Sequence, residues 1–303
     1  MESNFKSARL SVHFILFFCT FFGELKSQII HNLDGGCFGD KPFFDTAFIH
    51  RNHIQEIRGT YSIKKDGDIV RDVPGSFVYR FDSLGRLVLT MDARTFSQRQ
   101  DTLWNRYKYD RNGNLMLHQR SDEGGFTTTE YRFDSINRVV GVEQRREIVD
   151  SNGLIVQSTI LNRETMKYQK YALGERKTVY NNYNLPYMEE TELRNKEGYL
   201  LEHTQRLRMA NSDYRKQFVY GEKGLPVKVL FIHNTEEPYE EWQFRYDKFG
   251  NVIEKLTLRN NKINHNLQII YDSQTGLLGS TIQKHGDETY LLILRFKEYS
   301  YIR

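Results

Sequence analysis

The sequence predicts an all-β protein built from repeated antiparallel β-hairpins. Aromatic residues make up 14% of the chain, with 20 Phe and 19 Tyr, and these residue types favour strands. One nine-residue phrase also returns along the chain. It reads YRFDSLGRL at 79–87, YKYDRNGNL at 107–115, YRFDSINRV at 131–139 and FRYDKFGNV at 244–252. We expect the hairpins to form a long meander sheet that is curved or partly rolled, preceded by a short N-terminal helix.

Each copy of the phrase carries the residues of a tight hairpin turn. Asp stands first in all four copies and Gly fourth in three of them, as a type I turn prefers. A left-handed residue after such a turn closes a three-residue hairpin loop, and Gly or Asn adopts that conformation at least cost. We therefore interpret the phrase as a folding unit. The structural turn residues are Asp82 and Gly85, Asp110 and Gly113, Asp134 and Asn137, and Asp247 and Gly250.

The turn also predicts how the flanking strands pair. A loop over residues 83–85 puts Phe81 opposite Leu87 and Tyr79 opposite Leu89. Aromatic side chains would then pack against aliphatic ones on one face of the sheet. The charged residues between the turns would occupy the other face, in contact with water.

Weaker copies of the phrase fill the intervals, among them IVDSNGLIV at 148–156 and VYGEKGLPV at 219–227. The first three clear copies begin at 79, 107 and 131, which is the spacing of a repeat architecture. The pattern Tyr-Asp-x-x-Gly-(Asn/Arg)-Leu resembles the YD repeat of bacterial RHS proteins, and the likeness covers most of 60–280.

Large members of the RHS family wind their repeat sheet into a closed shell around a toxin segment. This chain is short, spaces its copies unevenly and lacks the core segment that those members carry near the end of the shell. No cargo domain is expected after Arg303. The resemblance therefore implies a small exported bacterial relative with an open or partly rolled sheet.

Residues 1–27 are expected to be a secretory signal peptide. Lys6 and Arg9 precede an apolar run over 12–22, which is shorter than the roughly 20 residues of a lasting membrane anchor. We expect export, cleavage near Ser27, and no stable transmembrane helix afterwards. The mature protein would be periplasmic, bound at the cell surface or secreted.

Three segments are expected after the signal peptide. Residues 28–58 form a lead or capping segment whose short helix follows Pro42. Residues 59–286 hold the hairpin repeats, and residues 287–303 form one or two capping strands. Loss of Cys19 with the signal would leave Cys37 as the single cysteine of the mature chain, so no internal disulfide is expected.

The chain carries no recognisable catalytic motif. His50 and His53 are interpreted as a solvated helix end, because no metal-ligand pattern is completed around them. We expect no catalytic residue, no metal and no cofactor. The net charge of +4 is spread along the chain, so nucleic acid is not an expected partner. Trp104 and Trp242 are weak candidates for ligand binding, since an exposed indole could stack on a sugar ring.

Three functions fit these observations. The first is an exported, non-catalytic scaffold for binding or assembly at the cell envelope or outside the cell, with an unknown envelope protein or glycan as partner. The alternative is a carbohydrate-binding envelope protein that uses Trp104 or Trp242. The further alternative is an outer-membrane β-barrel, because alternating strands of about ten residues can span that membrane. The mean hydropathy of −0.64 counts against it.

Overall fold

The computed structural model describes residues 28–302 apart from 31, 33–35, 39–40, 97–98, 123, 172–173 and 211. The expected signal peptide, residues 1–27, lies outside the described residues. The described part of the chain forms one short helix, α1 (Thr46–Arg51), and eighteen strands. The strands are β1 (Ile54–Lys65), β2 (Val70–Phe81), β3 (Leu87–Phe96), β4 (Arg99–Tyr109), β5 (Leu115–Asp122), β6 (Gly125–Phe133), β7 (Val139–Val149), β8 (Ile155–Tyr171), β9 (Gly174–Tyr180), β10 (Pro186–Arg194), β11 (Leu200–Leu207), β12 (Ser212–Tyr220), β13 (Pro226–His233), β14 (Pro238–Tyr246), β15 (Val252–Arg259), β16 (Lys262–Tyr271), β17 (Leu278–His285) and β18 (Tyr290–Tyr301).

The eighteen strands form one closed antiparallel barrel. Each strand pairs with the next in chain order, and β18 pairs with β1 from Ile54 opposite Tyr301 to Lys65 opposite Tyr290. The predicted all-β meander is confirmed. The expectation of a sheet that is only curved or partly rolled is wrong, because the strand in the predicted C-terminal capping segment makes the seam that closes the sheet.

A β-bulge follows the first residue pair of each repeated hairpin. Phe81 lies opposite Leu87 as predicted, but the next pairs are Arg80 with Leu89 and Tyr79 with Thr90. The predicted pair of Tyr79 with Leu89 is therefore wrong, and the two side chains lie on opposite faces. The same shift occurs in β4–β5, β6–β7 and β14–β15. Because a bulge bends a strand and increases its twist, the repeated bulge helps the sheet to close.

The repeated Asp and Gly lie in closely similar turns. The Asp82 carboxylate accepts hydrogen bonds from the amides of Leu84 and Arg86, both at 3.0 Å. Gly85 has a φ of 80° and donates its amide to the Asp82 carbonyl at 2.9 Å. Asn137 takes the same left-handed conformation with a φ of 65°. The turns that begin at Asp82, Asp110, Asp134 and Asp247 all follow even-numbered strands, so they lie at one end of the barrel.

A tyrosine joins each of several hairpins to the hairpin before it. The Tyr109 hydroxyl donates to the Leu87 carbonyl at 2.8 Å, and the Tyr246 hydroxyl donates to the Pro226 carbonyl at 2.7 Å. In every case the acceptor is the first residue of the preceding odd-numbered strand, beside the turn. Burial raises the pKa of Tyr246 to about 12. The repeated tyrosine is thus a structural link, and the same bond is made by Tyr168, Tyr220, Tyr271 and Tyr299.

The described residues of the N-terminal segment 28–52 lie inside this end of the barrel. Phe44 is 5.0 Å from both Tyr79 and Phe81 between ring centroids, and the Asn32 side chain donates to the Tyr246 hydroxyl at 3.2 Å. Strands β2 and β14 lie on different sides of the closed sheet. A segment that contacts the same face of both must therefore lie within the lumen, and we call it the plug.

The plug contains the predicted short helix and is part of the main hydrophobic core. Asp45 caps α1 by accepting the amide of Phe48 at 2.7 Å. The Cys37 side chain is buried within the same core. The sequence interpretation placed this segment over the end of the sheet, whereas the structure inserts it into the barrel. The last residues of the predicted lead segment, 54–58, belong to β1.

Candidate ligand-binding site

The two candidate tryptophans lie on opposite faces of the barrel wall. Trp242 shares the lumenal face with Phe244 and Tyr246 of the same strand, and this agrees with the alternation of β14. Trp104 lies on the outer face, because its neighbour in β4, Asn105, is in register with lumenal Thr90. The structure therefore does not bring these two residues into one site.

Both indole rings are already in contact with a cation. Lys255 Nζ lies 3.8 Å from the Trp242 ring centroid, and Phe231 packs on that ring with centroids 4.5 Å apart. Arg106 Cζ lies 4.0 Å from the Trp104 ring centroid. A sugar ring would have to displace such contacts in order to stack on a covered face.

A large cavity lies where the plug meets the barrel wall, and we call it the mouth cleft. It has a volume of about 920 Å³, which is within the usual range for a small-molecule site. Its wall and floor include the apolar side chains of Phe48, Ile253, Ile269 and Tyr271. Its rim is formed by the end of α1 and by the turns over 247–251 and 272–276.

Local sequence features open this cleft. Ile253 is the bulge residue of β15, since Tyr246 pairs with Val252 and Arg245 pairs with Glu254. The turn after β16 is one residue longer than the repeated turn, with Gly276 donating to the carbonyl of Asp272 at 2.9 Å. The bulge and the longer turn leave room between the wall and α1.

The rim of the mouth cleft carries two cations that have no carboxylate partner among the residues that the structure describes. They are Arg51, in the last turn of α1, and Lys248, in the turn before β15. Each approaches an aromatic ring: Arg51 Cζ is 6.0 Å from the Phe48 centroid, and Lys248 Nζ is 4.9 Å from the Phe249 centroid. Both cations are therefore available to an anionic group in the cleft.

The two acidic residues of the rim are engaged by their own turns. The Asp247 carboxylate accepts the amides of Phe249 and Asn251 at 2.8 and 2.9 Å. The Asp272 carboxylate accepts the amide and the hydroxyl of Thr275, both at 2.8 Å. The amide bond from Thr275 holds the pKa of Asp272 below its usual range. The carboxylates are thus held by the amides of their own turns, whereas Arg51 and Lys248 have no carboxylate partner among the described residues.

A second lumenal cavity, of about 580 Å³, is lined mainly by charged residues of β8 to β11 and by Arg138, which precedes β7. Glu190 Oε2 lies 2.5 Å from Lys177 Nζ and 3.2 Å from His203 Nε2. Burial opposes ionisation of Glu190, but the hydrogen bonds from His203 and Lys177 outweigh it and lower the pKa of that carboxyl. Arg138 is bound in turn by Glu175 at 2.6 Å. Because these charges satisfy one another, this cluster is a weaker binding candidate than the mouth cleft.

The structure gives His50 a local role at the end of the plug. Its Nδ1 lies 2.8 Å from the Ser83 carbonyl oxygen, so the ring links α1 to the first repeated turn. In the part of the chain that the structure describes, no three His, Cys, Asp or Glu side chains are grouped so that they could hold a metal ion.

The outer face of the barrel is rich in ion pairs. Arg245 lies between lumenal Phe244 and Tyr246 in β14, and its guanidinium lies 3.1 Å from the carboxylate of Glu254. Arg145 in the middle of β7 lies 2.6 Å from Glu130 of the adjacent strand. Within the described residues, no helix combines the length and the apolar character needed to cross a bilayer.

Comparisons with known proteins identify no family. No protein-family model matches the chain, and no curated protein matches it. Among solved structures, the chain is similar to a porin-like protein from Bacteroides uniformis, with 11% identity, covering 82% of this chain and 98% of that one. The TM-score is 0.39, which is too low to transfer a function. The resemblance to YD repeats therefore stays a prediction.

Sequence reasoning missed the mouth cleft. Lys248 and Asp272 are ordinary turn residues in the sequence, and Arg51 belongs to a separate segment. The longer spacing from Asp272 to Gly276 was the one local signal of an altered turn. The cleft forms only because the plug is inserted beside that turn.

Proposed function

We propose that the protein is an exported, non-catalytic binding protein that holds a small amphipathic anion in the mouth cleft. The observation that carries this proposal is the combination of an apolar floor with two cations that have no described carboxylate partner, Arg51 and Lys248. An apolar ligand segment would pack on Phe48, Ile269 and Tyr271, and an anionic group would reach the rim. The plug supplies one wall of the site, so the barrel acts as its rigid support.

The Tyr271 hydroxyl adds no negative charge at the floor of the cleft. It donates to the Val252 carbonyl at 2.9 Å, and burial raises its pKa above the ordinary value for tyrosine. The phenol is therefore neutral at physiological pH. Phe249 at the rim is 52% exposed, so it offers apolar area that a ligand could cover.

The closed barrel is also the architecture of an outer-membrane protein, which must present an apolar band about 25 Å tall to lipid. Here both faces of the wall carry charges in the middle of strands. The outer face has the pair of Arg145 with Glu130, and the lumenal face has the pair of Lys177 with Glu190. Charged side chains on a lipid-facing surface are costly, so we propose that water surrounds the barrel. An envelope or extracellular location remains part of this proposal.

Calorimetric titration with dodecanoate and with its uncharged counterpart dodecanol tests the proposed site. We expect dodecanoate to bind more tightly than dodecanol, because only the carboxylate can interact with the cations of the rim. Arg51→Gln and Lys248→Gln should each weaken dodecanoate binding by about tenfold or more, since a hydrogen bond to a charged group contributes roughly 1.5–3 kcal/mol.

Lys284→Gln is the matched control, because Lys284 is an exposed cation on the outer face at the opposite end of the barrel. This variant should bind dodecanoate like the unmodified protein. Equal binding of the two ligands, or equal loss in all three variants, would show that the mouth cleft does not select an anion. Absence of binding by both ligands would overturn the proposed class of ligand.

A further inference from the structure

One part of the barrel wall has an open strand edge. Strand β8 pairs with β7 from Ile155 to Thr165, but it pairs with β9 only from Thr165 onwards. Hydrogen bonding on the β9 side of β8 begins at Arg163, whose amide donates to the side chain of Asn182 at 2.5 Å. Residues 155–162 therefore have no described ladder partner on the β9 side. Bulges at Val156 and Leu161 interrupt the ladder with β7. Between them, residues 157–160 are regular, and every second one directs its backbone N–H and C=O groups away from β7.

This edge is apolar and uncharged. Ile155, Val156, Ile160 and Leu161 are between 48% and 63% exposed, and residues 154–162, LIVQSTILN, include no charged side chain. Soluble proteins usually protect such an edge with charge, proline or a covering element, because it can pair with another strand. The exposed edge thus has the chemistry of a strand-pairing surface.

The polarity of the edge is palindromic about Ser158. In an antiparallel pairing of two identical edges centred on this residue, Ile155 lies opposite Leu161 and Val156 opposite Ile160. Gln157 lies opposite Thr159, and each Ser158 faces the other. Every pair then joins apolar with apolar or polar with polar residues, and no like charges meet.

We infer that the β8 edge binds the same edge of a second copy of this chain and forms a two-fold symmetric dimer. An antiparallel pairing of identical strands is isologous, since each copy presents the same surface. The other side of this hairpin is occupied, because β7 is paired with β6 as far as Ile148 opposite Gly125. The contact consequently closes on itself and leads to a dimer and not to a filament. This inference does not depend on the proposed ligand.

Sedimentation velocity of the full chain over a wide concentration range tests the dimer. We expect a monomer–dimer equilibrium that Ser158→Lys weakens by at least tenfold, because the two new charges would face each other across the symmetry axis. Folding should be kept, since Ser158 is exposed within each barrel.

Ser151→Lys is the control, because it adds the same charge in the exposed turn of the same hairpin. Lysine already occupies the equivalent turn position at Lys248. This variant should dimerise like the unmodified protein. A chain that is monomeric at all concentrations, or a dimer that Ser158→Lys leaves intact, would overturn the inference.

Oxidative crosslinking locates the interface independently. Ser158→Cys places two thiols beside the proposed axis, so oxidation should yield a disulfide-linked dimer. Ser151→Cys should not, because it lies outside the paired edge. Cys37 is 3% exposed and should contribute little to either result. Equal crosslinking of the two variants would contradict the proposed pairing.

Discussion

Gly85→Ala is expected to destabilise the protein much more than the same change at Gly113. Both glycines end a repeated turn and have positive φ, 80° and 87°. A methyl group at either position carries a conformational cost of roughly 1–2 kcal/mol. At Gly85 it would also overlap the Thr46 carbonyl oxygen and lie 2.7 Å from the His50 amide nitrogen. This clash with the backbone of α1 should add roughly 1–3 kcal/mol.

Urea unfolding of Gly85→Ala and Gly113→Ala measures this difference. Gly113 is the matched control, because nothing lies within 4 Å of a Cβ built there. Similar free energies of unfolding for the two variants would mean that α1 is not seated against the first turn. The result therefore reports on the position of the plug and not only on turn conformation.

Phe44→Ala should lower the free energy of unfolding by about 3–5 kcal/mol, as expected for truncating a buried aromatic side chain. Phe44 is 5% exposed and contacts Phe43, Tyr79 and Phe81 with ring centroids no more than 5.0 Å apart. Its loss would leave a cavity between the plug and the wall. Because the plug contributes to the main core, the barrel should lose stability as well.

Tyr183→Ala is the control for Phe44→Ala, because Tyr183 is 83% exposed in a turn. It should change the free energy of unfolding by less than about 0.5 kcal/mol. Equal effects of the two substitutions in urea unfolding would contradict a lumenal position for Phe44.

Local features of the fold could be predicted from the sequence because they depend on neighbouring residues. The turn at Asp82 is specified by an acceptor carboxylate and by a residue that tolerates positive φ, and Asn137 fills the second role in another copy. A short helix was predicted after Pro42; it begins at Thr46, four residues further on, where Asp45 caps it. Such signals lie within a few residues of one another and need no knowledge of the whole fold.

Closure of the sheet depends on residues far apart in the chain. The seam pairs Ile57 with Tyr299 and Thr60 with Arg295, and no local pattern specifies such a partner. The bulge beside the first repeated turn also places Leu89 on the face opposite Tyr79. The mouth cleft was hidden for the same reason, since Arg51 and Lys248 line one cavity only because the plug is inserted into the barrel.

The central claim is that the sheet is a closed barrel, and native-state hydrogen exchange at the seam tests it most directly. In a closed barrel the amides of β1 and β18 are paired on both sides, so both strands should exchange as slowly as β14 and β15. Residues 155–162 give an internal reference for an open edge, where every second amide should exchange quickly when the protein is monomeric. Fast exchange of alternate amides in both β1 and β18 would show that these strands are free edges and that the sheet is open.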